Sequence, residues 1–269
     1  MRRGAVQSCC RGATWAVALA ALLLGSAVAR AQEPTAMRQA LVRADSAFVA
    51  GSAPGSLSPL QPWLDRDVRD AALLWRAARG HVALGILTPS REGADAHYQQ
   101  AAAHARAAIV VAPSDPDAVY WLAVAQGRRA LRGNFHRILP LAVETHTLAQ
   151  RVLALDPRHA GAHGILGKLY SEVRKLPWMI RKLAAAVTRQ DVLRLATWEA
   201  AERQLHRAIA LDSLAVIHHA DLVQLYVRQG RLPAARAAFA AMSRLPNRTP
   251  ADTLFRREVR SLLEPPPPY

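Results

Sequence analysis

Four stretches of this chain close in the same manner. AAAHARAAIVVAPSDP closes at Pro113 and THTLAQRVLALDPRHA at Pro157. AERQLHRAIALDSLAV puts Ser213 where those prolines stand, and PAARAAFAAMSRLPNR closes at Pro246. Each stretch carries small or modest side chains spaced four and then three apart: Ala101, Ala105 and Ala108; Thr145, Ala149 and Val152; Ala201, Leu205 and Ala208; Ala235, Phe239 and Met242. That spacing lines one face of a helix, and small residues on the face let a second helix come close. A helix of this kind, repeated, buries its apolar face only by stacking on its neighbours. The chain is thereby constrained to an all-α solenoid of helix pairs.

The first helix of each pair repeats as well. HGILGKLY gives His163, Leu166, Gly167 and Tyr170; HADLVQLY gives His219, Leu222, Val223 and Tyr226; VYWLAVAQG, around Leu122 and Ala123, is a looser copy. The spacing aromatic–Leu–small–aromatic, with histidine at the first aromatic place, is that of the tetratricopeptide repeat, a unit of about 34 residues. The period here is uneven. Pro113 to Pro157 is 44 residues and Pro157 to Ser213 is 56. The longer gap holds LPWMIRKLA, which reads as an insertion between the two helices of one pair, with Pro177 ending the first helix, Trp178 and Met179 packing, and Arg181 and Lys182 facing water. Residues 36–88 read as further helices, with the turn GSAPGSLSP at 51–59 separating Met37–Ala50 from Trp63–Leu87.

Leu176-Pro177-Trp178 followed by Arg181 and Lys182, then TWEAAERQLHRAIALD, HHADLVQLYVRQG and TPADTLFRREVRSLL, with Asp252, Glu258 and Leu262-Leu263, occur in an order that resembles the regulator of microtubule dynamics protein family; WLAVAQG at Trp121 is the more N-terminal match. The resemblance covers roughly residues 117–263. It implies tetratricopeptide-like helices and an insertion after one first helix. Here Ser213 departs from the pattern by replacing a proline.

The ends carry other signals. Arg2, Arg3 and Arg11 make a basic start, residues 13–29 run without a charge, and Ala29 and Ala31 stand where a signal peptidase needs small residues. This is the layout of a secretory signal peptide, and the apolar run falls short of the ~20 residues that a membrane anchor prefers. The expected organisation is a signal peptide at 1–31, a helical-repeat domain at 32–264 and a proline-rich tail at 265–269, with the mature protein secreted or periplasmic in a bacterium. The only cysteines, Cys9 and Cys10, precede the cleavage point, so the mature chain offers neither a disulfide framework nor a cysteine metal site. Lys and Arg outnumber Asp and Glu by 35 to 20, but the basic residues are scattered, and a nucleic-acid footprint is concentrated.

No phosphate loop, HExxH motif or nucleophile elbow is present. His159 and His163 lie four apart and His97 and His104 two turns apart, without a third ligand in view. The expectation is a non-enzymatic scaffold or adaptor with no cofactor and no metal. Stacked pairs make a concave face lined by the first helices, where the spacing places Tyr120, Val124, Arg128, Lys168, Gln224 and Arg228. Such a face suits a protein or peptide partner, and its basic members suit an acidic one. The alternative is a lipid or apolar-ligand carrier, or a membrane-surface binder, that uses Pro177, Trp178, Arg181 and Lys182 within the 176–195 insertion.

Overall fold

The computed structural model describes residues 34–132, 135–176 and 194–264, and no β-strand occurs among them. Helix α1 spans residues 34–49. The helices α2 (Ala53–Leu57), α3 (Gln61–Leu64), α4 (Ala71–Leu87), α5 (Arg91–Val111), α6 (Pro116–Arg132), α7 (Phe135–Leu155), α8 (Ala160–Lys175), α9 (Trp198–Leu211), α10 (Val216–Arg228), α11 (Leu232–Ser243) and α12 (Asp252–Ser261) follow. Four pairs pack as hairpins: α4 on α5, α6 on α7, α8 on α9 and α10 on α11. The first helices also touch in series, α4 to α6 to α8 to α10, and α12 closes the far end against α10 and α11. A solenoid built this way presents its first helices on one face.

The small-residue positions lie where the helices cross. Ala101, Ala105, Ala108, Ala149, Val152, Ala201, Leu205, Ala208, Ala235 and Met242 are all 0% exposed. Gly167 of α8 meets α9 so closely that a Cβ there would stand 2.6 Å from Leu205 Cγ and 3.1 Å from the Ala201 carbonyl oxygen. Replacing such a residue overpacks a crossing that is already full.

Three connections between pairs share one turn. The N–H groups of Asp115, His159 and Ala215 donate to the carbonyls of Ala112, Asp156 and Asp212, three residues back. Pro113 and Pro157 restrict two of these turns. The third has Ser213, and there the Asp212 carboxylate accepts from Leu214 N–H, as the Asp156 carboxylate accepts from Arg158 N–H. An Asx turn holds the chain where the proline is missing.

The N-terminal part differs from the sequence expectation. The stretch expected as a turn holds α2, whose N-cap Ser52 accepts from Gly55 N–H, and the helix expected over Trp63–Leu87 is broken. Asp67 takes a positive φ of 49° there, and Asp70 caps α4 by accepting from Leu73 N–H at 2.8 Å. Asp-rich sequence tolerates that left-handed geometry and favours N-caps. Trp63 stays buried, packed with Leu60 and Leu73.

α8 stops at Lys175, and Leu176 is extended with ψ 143°, the conformation imposed on a residue that precedes proline. The insertion lies between the two helices of the third pair: about 22 residues separate α8 from α9, where the other pairs are joined by two or three. Pro177, Trp178, Met179, Arg181 and Lys182 lie outside the described residues. Among the described residues, no helix is long and apolar enough to cross a membrane.

Candidate functional site

The first helices place equivalent side chains side by side. On α8, Lys168, Ser171 and Glu172 share a face; on α10, Asp221, Gln224 and Arg228 face them. Lys168 Nζ lies 3.1 Å from Asp221 Oδ1 and 3.4 Å from Glu172 Oε1, and donates to Gln224 Oε1. Arg228 donates to Glu172 Oε1 at 2.6 Å and to Ser171 Oγ at 2.7 Å. Burial pushes the Glu172 carboxyl up, but the charges of Lys168 and Arg228 outweigh it and hold the group below its usual range. Two cations and two carboxylates thus form one neutral, hydrogen-bonded zipper between α8 and α10.

Sequence spacing found Lys168, Gln224 and Arg228 but missed Ser171, Glu172 and Asp221. Glu172 was within reach as the i+4 partner of Lys168. Asp221 lies on a separate helix, and helical spacing alone does not pair residues across helices.

The other groove residues take different places. Tyr120 of α6 lays its ring against Gly161, where a Cβ would be 2.5 Å from the ring, and 4.6 Å from the His159 ring; burial pushes its hydroxyl pKa up to about 12. Val124 packs into the cluster formed by α4, α5 and α6. Arg128 holds its guanidinium 5.4 Å from the Phe255 ring centroid and so ties α6 to α12. The structure brings Lys168, Gln224 and Arg228 into one cluster, with Tyr120, Val124 and Arg128 on the neighbouring first helix.

The histidines are absorbed into packing. His163 and His219, at the first aromatic place of their repeats, each bond the carbonyl six residues back, Pro157 O at 3.3 Å and Ser213 O at 3.0 Å. His159 caps α8, its Nδ1 accepting from Ala162 N–H. Tyr170 and Tyr226 reach His146 and His206 on the preceding second helices, at 3.3 and 3.2 Å. His218 is buried on α10 with its Nδ1 against Gly164 of α8, and burial pushes its pKa down. Among the described residues, no group of three or more His, Cys, Asp or Glu side chains is arranged to hold a metal ion.

The family model for regulator of microtubule dynamics protein 1-3 matches residues 42–265. The chain belongs to that family. The match begins well before residue 117, where the sequence resemblance started, so the first helix pair is part of the family fold. The chain is 22% identical over 189 residues to regulator of microtubule dynamics protein 3 of Bos taurus, which takes in 70% of this chain and 40% of that protein. It therefore spans about two-fifths of that relative's length. The crystal structure of a thermophilic TPR protein from Thermus thermophilus superposes with a TM-score of 0.61 at 18% identity, over 84% of this chain and 98% of that one. At that identity the likeness establishes the tetratricopeptide fold of this family member, and its sites are read from its own residues.

Proposed function

We propose that the protein is a non-enzymatic scaffold whose concave face, centred on the α8–α10 zipper, holds a segment of another protein. The observation that carries this reading is the convergence of Lys168, Ser171, Glu172, Asp221, Gln224 and Arg228 on one face of a rigid helix-pair solenoid. Both ends of the zipper offer donors and acceptors, which suits a segment that presents backbone amides and polar side chains. An acidic segment would bind only by displacing Glu172 or Asp221 from the cations they already neutralise. Export by the 1–31 segment belongs to the same reading. Its support is the basic start, the uncharged run and the small residues at 29 and 31, and N-terminal sequencing of the mature protein tests it.

A photo-crosslinking residue in place of Gln224 tests the groove in living cells. One discrete adduct is expected from that position and none from Arg106 on α5. Lys168→Gln or Arg228→Gln should remove the adduct while leaving the thermal transition within a few degrees. An adduct that forms equally from both positions, or survives both substitutions, would exclude the groove.

A further inference from the structure

Outside the groove, the first helix pair holds a second cluster. His81 of α4 lies between His97 and His104 of α5. Its ring centroid is 5.7 Å from that of His97, with the two Nδ1 atoms 3.5 Å apart, and 5.5 Å from that of His104, against which it stacks at 12°. All three rings are half-buried. His81 stands at the place in α4 that Tyr170 and Tyr226 occupy in α8 and α10, the same distance beyond the helix start.

The carboxylates on the elements around the cluster are engaged elsewhere. On α1, Asp45 is held by Arg76 and Arg79 of α4. In the connection before α4, Asp65 accepts from Gln61, Asp67 from Arg69, and Asp70 caps the helix. On α5, Asp95 is taken by Gln99 and by Arg129 of α6, while Glu92 lies exposed in the first turn. Asp117 of α6 stands near His159. Neither α2 nor α3 carries a titratable residue. Glu144 of α7 is taken by Arg106 of α5 and Gln126 of α6. A proton on His81 therefore meets two other rings and, among the described residues, no counter-ion.

We propose that the first helix pair is an acid-responsive element: mild acid charges His81, an imidazole packed between two others without a carboxylate partner, and the α4–α5 hairpin loosens. The hairpin also carries Arg76 and Arg79, which hold Asp45 of α1, so loosening it releases the N-terminal end of the solenoid. Burial, reinforced by His104 and His97, pushes His81 down to about 4, and burial lowers His104 in the same direction. A base whose folded pKa lies below its unfolded value stabilises fully above the unfolded value of 6.5 and loses that contribution as the pH falls toward about 4.

The test is hydrogen exchange of the full chain at about pH 7.5 and about pH 5, corrected for intrinsic rates, where His81 alone supports a loss of protection on the order of 30-fold. Peptides within 71–111 should lose that protection. His81→Gln, which copies the Gln126 found at the equivalent place in α6, should abolish the response, and His104→Gln should reduce it. Protection of 71–111 that does not change with pH overturns the proposal. So does a wild-type response retained by both variants, or a loss spread evenly over the chain.

Discussion

At Gly167 a hydrogen atom is the whole side chain because Leu205 and the Ala201 carbonyl occupy the space beyond it. Gly167→Val should cost about 2 kcal/mol through overpacking, which lowers the melting temperature by roughly 4–8 °C in a domain of this size; differential scanning calorimetry reads it directly. This residue was legible because its spacing to Leu166 and Tyr170 marks a helix crossing. The zipper partners were less so. Periodicity tells which side chains share a face of one helix, and it named Lys168, Gln224 and Arg228. It does not tell which residue of α10 stands opposite Lys168, because that depends on the relative shift of α8 and α10.

Among the connecting elements, the turn after α9 gives the sharpest expectation. Asp212 has φ −138° and ψ 88°, almost the values of Ala112, −135° and 83°, which precedes Pro113. The Ser213 carbonyl is also bonded by His219 as the Pro157 carbonyl is by His163. The site is thus already shaped for proline, and Ser213→Pro should stabilise the protein by about 0.5–1 kcal/mol by restricting the unfolded chain. A urea midpoint that falls instead would show that the turns differ. Sequence reading identified the paired helices because proline and small residues punctuate them. It ran Trp63–Leu87 together because the break at Asp67 and Asp70 depends on one positive φ and one cap, neither of which alters apolar periodicity.

For the molecule as a whole, stability is a sum over neighbouring pairs, and the last pair needs a lid. α12 supplies it. Phe255 and Val259 are buried in the largest apolar cluster, and the Arg256 guanidinium donates to the Met242 and Leu245 carbonyls at the end of α11. Deleting residues 249–264 should leave a helical but self-associating protein, seen as a larger mass by light scattering; a monodisperse monomer would deny α12 that role. The solenoid was plain from the sequence between residues 117 and 263. The first pair was harder to place, since alanines at 77 and 78 and histidine at 81 stand where α8 has Leu166, Gly167 and Tyr170.

The third pair closes across about 22 intervening residues with the same tight crossing that its neighbours achieve across two or three. Chain-closure entropy rises only logarithmically, so lengthening a flexible link from a few residues to about 20 costs only about 2 kcal/mol. Spacer length at this rim is therefore decoupled from the integrity of the stack.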